Sequence, residues 1–176
     1  AAQAGTFYGQ AMIAGDIYTI AGDGRRGFAG DGGPATRAEL RGPAGVAVDG
    51  AGNVVIADAN NNRIRVVAAH SGTFYGQAMI AGDIYTIAGD GVRGFSGDGG
   101  PATGAQFSDP QGVAVDAAGN VLIADHGNRR VRVVAAQAGT FYGQAMTAGD
   151  IYTIAGDGLY HFSGDGGPGT SAALAG

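Results

Sequence analysis

Residues 45–58 read Gly45-Val46-Ala47-Val48-Asp49-Gly50-Ala51-Gly52-Asn53-Val54-Val55-Ile56-Ala57-Asp58, and that order encodes two short strands joined by a tight turn. Apolar residues alternate through Val46 and Val48, as a strand requires. Gly50-Ala51-Gly52 breaks the run, and Gly52 suits a left-handed backbone position. Asn53 to Asp58 is β-branched and apolar, a second strand. A polar turn, Ala59-Asn60-Asn61-Asn62, leads to a third, Arg63-Ile64-Arg65-Val66-Val67. Beyond an aromatic stretch, Thr73 to Met79, Gly82-Asp83-Ile84-Tyr85-Thr86-Ile87-Ala88-Gly89 supplies a fourth.

The same plan recurs at 112–116, 120–125, 130–134 and 149–156, because the chain is an internal repeat. Ala1-Ala2-Gln3-Ala4-Gly5-Thr6-Phe7-Tyr8 returns at Ala68 and again at Ala135, a period of 67 both times. Residues 1–67 and 68–134 differ at 16 positions, so the two copies must fold alike. No window shows a sustained helical period. The exception is Pro34 to Leu40, which predicts about two helical turns, with Pro34 at the first position and Asp31 favouring the dipole. Four antiparallel strands per repeat joined by hairpins is the make-up of a propeller blade.

The expected architecture is therefore all-β, with two complete four-stranded antiparallel blades plus one extra outer strand at 16–21. Residues 1–43 would hold that strand and a Gly/Asp linker, 44–89 a blade, 90–110 a linker, 111–156 a blade and 157–176 the linker of an incomplete third repeat. The chain begins and stops inside a repeat, which predicts a piece of a longer array.

Composition narrows the chemistry. The 176 residues include 36 Gly and no Cys, which excludes disulfides, cysteine-ligated zinc and thiol catalysis. Glycine shows no three-residue period, so collagen is excluded, and no apolar run is long enough for a membrane-spanning helix. All ten basic residues are Arg and the net charge is −5, which disfavours nucleic acid and anionic membrane surfaces as partners. The Ala, Gly and Arg bias is that of a GC-rich bacterial coding sequence.

Five groups of residues invite a functional reading. Asp58/Asn61/Arg63 and Asp125/Asn128/Arg130 recur once per blade at one offset, which marks a turn-fixing contact rather than a catalytic set. Asp23, Asp31, Asp90, Asp98, Asp157 and Asp165 lie in glycine loops and are candidate calcium ligands, although two carboxylates per loop fall short of a full oxygen shell. The bland reading is that they cap turns and satisfy loop amides. His70, His126 and His161 fall at three different repeat offsets, which does not predict a shared metal. Phe74 and Tyr75, with their copies, predict packing over the blade edge, or a stacking surface for sugars or a protein. Arg25, Arg26, Arg93, Tyr160, Arg37 and His126 vary between copies, lie in connections, and are the candidate partner surface.

Pro43-Ala44-Gly45-Val46-Ala47-Val48-Asp49, Gly52-Asn53, Ile56-Ala57-Asp58, Asn61 and Arg63-Ile64 together resemble the NHL repeat. So do Pro110 to Asp116, Gly119-Asn120, Ile123-Ala124-Asp125, Asn128 and Arg130-Val131. The linker Gly97-Asp98-Gly99-Gly100-Pro101-Ala102-Thr103 is similar to those of bacterial, often secreted, members. The resemblance implies a propeller commonly of six blades, a non-enzymatic scaffold binding a protein or glycan through inter-strand loops, and no cofactor. It implies an extracellular or cell-surface location. Two departures stand out: NHL periods are shorter, and the insert Gly72 to Ala81 is additional. Two alternatives remain at this level. One is self-assembly into a ring or filament through open blade edges. The other is a fragment of a metal-dependent lyase or lactonase whose site draws on other blades.

Overall fold

The computed structural model describes residues 1–174, and the last two residues of the expected final linker lie outside them. Sixteen short strands are joined by five single-turn 3-10 segments. In the first blade, β4 (Pro43–Val48), β5 (Val54–Asp58), β6 (Arg63–Val67) and β9 (Asp83–Ala88) form an antiparallel meander. The second blade repeats it with β11 (Pro110–Val115), β12 (Val121–Asp125), β13 (Arg130–Val134) and β16 (Asp150–Ala155). The fold is all-β and its sheets are propeller blades. Among the described residues no helix is long and apolar enough to cross a membrane.

Each blade carries a fifth strand that the sequence reading assigned to the linker. β3 (Gly33–Pro34) pairs with β9, and β10 (Gly100–Pro101) pairs with β16. The linker thus closes the outer edge of the blade that follows it. It also reaches backward, because Gly89 N and Asp90 N donate to Ala102 O and Ala105 O. Outer strand, linker and next outer strand form one hydrogen-bonded belt.

The aromatic inserts are not extensions of the outer hairpin. They are separate ribbons: β1 (Gly5–Phe7) with β2 (Gln10–Met12), β7 (Gly72–Phe74) with β8 (Gln77–Met79), and β14 (Gly139–Phe141) with β15 (Gln144–Met146). Each turns on two residues, Tyr-Gly, both at positive φ (51° and 75° for Tyr75 and Gly76), as a two-residue hairpin of primed type demands. The three methionines are buried beneath the ribbons, so these inserts do pack on the blades.

Two expectations fail for local reasons. Pro34 to Leu40 forms only a three-residue 3-10 turn, Ala35–Arg37. Ala38 is already extended, with its carbonyl held by Asp23 N, so a helix there would break the belt. The extra strand at 16–21 does not form either. In each blade the outer strand pairs with a third strand, and residues 16–21 have no such strand beside them. Ile17 is 98% exposed, whereas its counterparts Ile84 and Ile151 are fully buried.

The main core lies between the blades. Val55, Ala57 and Ile64 of the first meet Val121, Ile123 and Phe107 of the second, with Val113 and Val115 packed against them. Gly45 lies directly on the Gln111–Val113 backbone, where any side chain would collide. This largest buried cluster makes the interface the main source of apolar stabilisation. Hydrogen exchange should separate the three copies of the outer strand: slow amides at 84–87 and 151–154, and fast ones at 17–20. Equal protection of all three would contradict the unpaired state of 16–21.

Candidate functional site

The third strand of each blade places two arginines on one face, Arg63 and Arg65, then Arg130 and Arg132. Arg65 and Arg132 are fully buried and are the largest fully buried side chains. A buried guanidinium must have its donors paired, and the preceding linker does this. Arg132 Nη2 donates to Asp98 Oδ1 at 2.7 Å and to Ser96 O at 2.8 Å, and Nη1 donates to Gln106 O at 2.8 Å. Its Nε also reaches Asp98, at 3.1 Å. Arg65 repeats the pattern with Asp31 at 2.6 Å and the carbonyls of Ala29 and Glu39. Phe28 and Phe95 cover these cations, stacked 3.8 Å and 3.9 Å from the guanidiniums of Arg63 and Arg130.

Two small differences show how closely the copies match. Asp31 accepts the Thr86 hydroxyl at 2.6 Å, and Arg65 Nε is left without a partner. Asp98 instead takes Arg132 Nε, and the Thr153 hydroxyl is the orphan.

Asp58 and Asp125 sit behind the arginines, fully buried. Asp125 accepts Ser108 N at 2.9 Å and Asn128 Nδ2 at 2.8 Å, and lies 3.7 Å from Arg132. Asp58 does the same with Arg41 N, Asn61 and Arg65. Burial pushes the Asp125 carboxyl above its ordinary value, opposed by Asn128, the Ser108 amide, Arg132 and Arg130. Asn61 and Asn128 donate onward to Gly27 O and Gly94 O at 2.7 Å. Arg63 and Arg130 reach the next linker, donating to Asp90 O and Asp157 O at 2.6 and 2.7 Å. These six residues fix turns and bridge linkers.

The glycine-loop carboxylates are equally engaged. Asp23, Asp90 and Asp157 each accept the amide two residues on, from Arg25, Val92 and Leu159, at 2.7–2.8 Å. Asp31 and Asp98 are counter-ions of buried arginines, and Asp165 is exposed. Among the described residues no three His, Asp or Glu side chains converge on one position. The histidines stay apart, with His126 3.6 Å from Asp109.

Sequence reasoning missed Arg65 and Arg132. The signal was an arginine two residues after the turn arginine, inside an otherwise apolar strand in both copies. It also missed the inner-turn carboxylates. Asp116 accepts the Ala118 and Asn120 amides and Asn120 Nδ2, all at 2.9 Å, and the Tyr142 hydroxyl at 2.6 Å. Asp49 and Tyr75 form the same bond at 2.7 Å. Asp49, Tyr75 and Asp116 line a cleft of about 450 Å³ between the inner turns of the two blades. Desolvation pulls the Asp116 carboxyl up, but these donors outweigh it and leave it below its ordinary value. Burial, then the Asp116 bond and charge, push the Tyr142 hydroxyl up to about 12. Tyr75 is raised by the same causes.

The variable residues gather on the opposite side, with the 58–63 and 125–130 turns. Arg25, Arg26, Arg93, Tyr160 and His126 are all exposed there. Arg93 Nε donates to Ser108 Oγ at 3.0 Å, and Arg129 lies 5.0 Å from the Tyr160 ring. Arg41, Asn60, Asn62, Arg93 and Asp109 line a pocket of about 290 Å³ where the blades meet. Arg37 does not join them; it sits on the 3-10 turn at the outer rim, next to the contact between Ala35 N and Gly82 O.

The family model of the NHL repeat matches residues 40–67 and 107–134, one stretch in each blade. Each match runs from the end of a linker through the third strand and includes the buried arginine. No curated protein matches the chain. Among solved structures it is similar to a structural genomics protein of unknown function from Bacteroides thetaiotaomicron VPI-5482, with 24% identity and a TM-score of 0.47. That alignment covers 59% of this chain and 23% of the other, so the chain spans less than a quarter of that protein's length.

Two outcomes test this geometry. Asp125→Ala leaves Ser108 N without its acceptor, takes one of the two acceptors of Asn128 and removes the buried carboxylate 3.7 Å from Arg132, and should cost about 3–5 kcal/mol in urea unfolding; a loss within experimental error would contradict the buried-pair account. Tyr142 should ionise near 12, above the ordinary tyrosine value of about 10. Because its folded value is raised, its contribution to stability is present below pH 10 and fades as pH rises through 12. The depressed Asp116 contributes above its ordinary value near 3.8 and fades on acidification. Asp116→Asn should move one late tyrosine back towards 10 in the absorbance titration, and an unchanged titration would remove the bond from the account.

Proposed function

We propose that this pair of NHL blades is a non-enzymatic scaffold that binds a protein partner through the connections on the 58–63 side. The observation that carries the reading is the division of labour among polar residues. Those that recur in both copies are consumed by bonds within the fold, whereas Arg25, Arg26, Arg93, Tyr160 and His126, which change between copies, are exposed and lie on one side. Arg25/Val92/Leu159 and Arg26/Arg93/Tyr160 change charge, size and polarity on exposed loop positions. Arginine and tyrosine on an exposed rigid support are the residues that anchor protein interfaces. A glycan would need an aromatic stacking site, and neither pocket on this side has an aromatic ring in its lining. An extracellular bacterial setting remains part of this proposal, supported by the similarity of the glycine-rich linkers to secreted NHL proteins.

The test is a selection of displayed peptides against the folded chain, followed by variants on each side. Arg25→Ala with Arg26→Ala, and Arg93→Ala with Tyr160→Ala, should each weaken a large share of binders by roughly 30-fold, the scale of a lost hot spot. Changes at the opposite cleft, such as Thr73→Ala, should leave them intact. Binders that map only to the cleft side would overturn the assignment.

A further inference from the structure

Two arginines outside the buried holds, Arg41 and Arg93, line one pocket at the joint between the blades, together with Asn60, Asn62 and Asp109. Neither forms an ion pair among the described residues. Arg41 is bonded only through its backbone: its N–H donates to Asp58 Oδ1 at 2.8 Å, and its carbonyl accepts Asn60 N at 3.0 Å. Arg93 spends its Nε on the hydroxyl of buried Ser108 at 3.0 Å, which leaves both Nη groups without a partner. The Asn60 carboxamide lies against Gly42, where a side chain on that glycine would stand. Asp109, the carboxylate in this lining, is engaged by the second blade. Its Oδ2 accepts Gln111 Nε2 at 2.8 Å and lies 3.6 Å from His126 Nδ1. Asn62 is also spent, accepting Asp109 N at 3.1 Å and reaching Gly91 O at 3.4 Å.

This set does not recur with the fold. One period later the positions of Arg41, Asn60 and Arg93 are held by Ser108, Gly127 and Tyr160. The arginine pair is therefore no part of the contacts that build each blade. Two guanidiniums on one pocket without a counter-ion repel each other, and an anion between them relieves that repulsion. A guanidinium presents its free N–H groups as a planar fork, which matches the two oxygens of a carboxylate. The supports are already in place. Arg41 is pinned on both sides of its backbone, and Arg93 is pinned at its Nε, so less ordering is needed when a ligand arrives.

We infer that this pocket seats a single carboxylate, the side chain of a Glu or Asp in an acidic peptide segment of the partner. The source of that carboxylate rests on the protein-partner reading above; the pocket's preference for it rests on Arg41 and Arg93. At about 290 Å³ the pocket stands at the lower end of the roughly 300–1,000 Å³ typical of ligand sites, which suits one inserted side chain. Asp109 in the same lining opposes a second negative charge, which favours a singly charged carboxylate over a phosphate. The acidic segment also resolves an apparent conflict with the net charge of −5. That charge disfavours an anionic partner as a whole, whereas this joint presents two unpaired cations at one point. Both arginines are exposed, so the attraction is screened by salt.

The test is fluorescence anisotropy of the 176-residue chain with a labelled, C-terminally amidated octapeptide of alternating Gly and Glu. Its twins carry Gln or phosphoserine in place of Glu. The Glu peptide should bind, more tightly than the phosphoserine twin, and the Gln twin should not. Arg41→Gln and Arg93→Gln should each weaken the Glu peptide by roughly 10-fold or more, as loss of a charged hydrogen-bond partner does. Arg37→Gln removes the same charge at the outer rim and should leave binding unchanged. The Arg41 side chain makes no bond within the fold, so that variant should keep its far-ultraviolet circular dichroism. Equal binding of the Glu and Gln peptides, tighter binding of the phosphoserine twin, or wild-type affinity in Arg41→Gln would overturn the inference. Equal loss in Arg37→Gln would overturn it too. The selected peptides separate this inference from the partner reading. Binders on the 58–63 side that keep their affinity when every Glu and Asp is changed to Gln and Asn would leave that reading standing and overturn this one. Binders confined to the opposite cleft, with the Glu peptide still dependent on Arg41 and Arg93, would support the pocket and overturn the partner reading alone.

Discussion

Everything in this fold leans on a guanidinium buried where a strand should be apolar. Arg65 and Arg132 occupy blade interiors, and a cation there is tolerable only while surrounded by acceptors. Those acceptors come from two directions: a buried carboxylate of the same blade, and a carboxylate with two carbonyls from the preceding linker. The linker itself is too rich in glycine to hold a shape by side-chain packing. The arginine gives it one, and Phe28 or Phe95 closes the site from above. Because Arg63 and Arg130 then reach forward to the next linker, each blade is tied to the loops on both sides of it.

This arrangement explains why the chain can vary freely at some positions and hardly at all at others. The linker contributes backbone carbonyls, which any residue supplies, and only Phe, Asp and the glycines must be kept. Positions such as 25, 26, 92 and 159 face solvent between those fixed points. A repeat built this way separates stability from recognition: the belt and the arginine holds are common to every blade, and the exposed connections are individual.

The strands, their order and the repeat were legible because they depend on local alternation and on glycine at the turns. Val46 to Asp58 specifies a hairpin without reference to anything distant. The strand expected at 16–21 has the same sequence as β16 up to Ala21 and yet does not form, because a strand is defined by its neighbour as much as by its residues. The short helix expected after Pro34 was overridden by backbone bonds from Asp23 and by the Ala29–Glu39 bridge. Asp31 and Asp98 were read as loop carboxylates, and their true partners lie 34 residues further along the chain. Tyr75 and Asp49 are 26 residues apart and belong to different turns. Long-range pairs of this kind leave no local trace except their recurrence at one offset in each copy.

The central claim is that the buried arginine, rather than the linker's own sequence, holds the linker in place. Hydrogen exchange of Arg132→Met measures this directly, since methionine can fill the apolar space without providing donors. The account predicts that amides of residues 94–107 lose protection while β11, β12 and the first blade keep theirs. Unchanged protection across 94–107 in a folded Arg132→Met chain would show that the linker is held by something else, and would contradict the account.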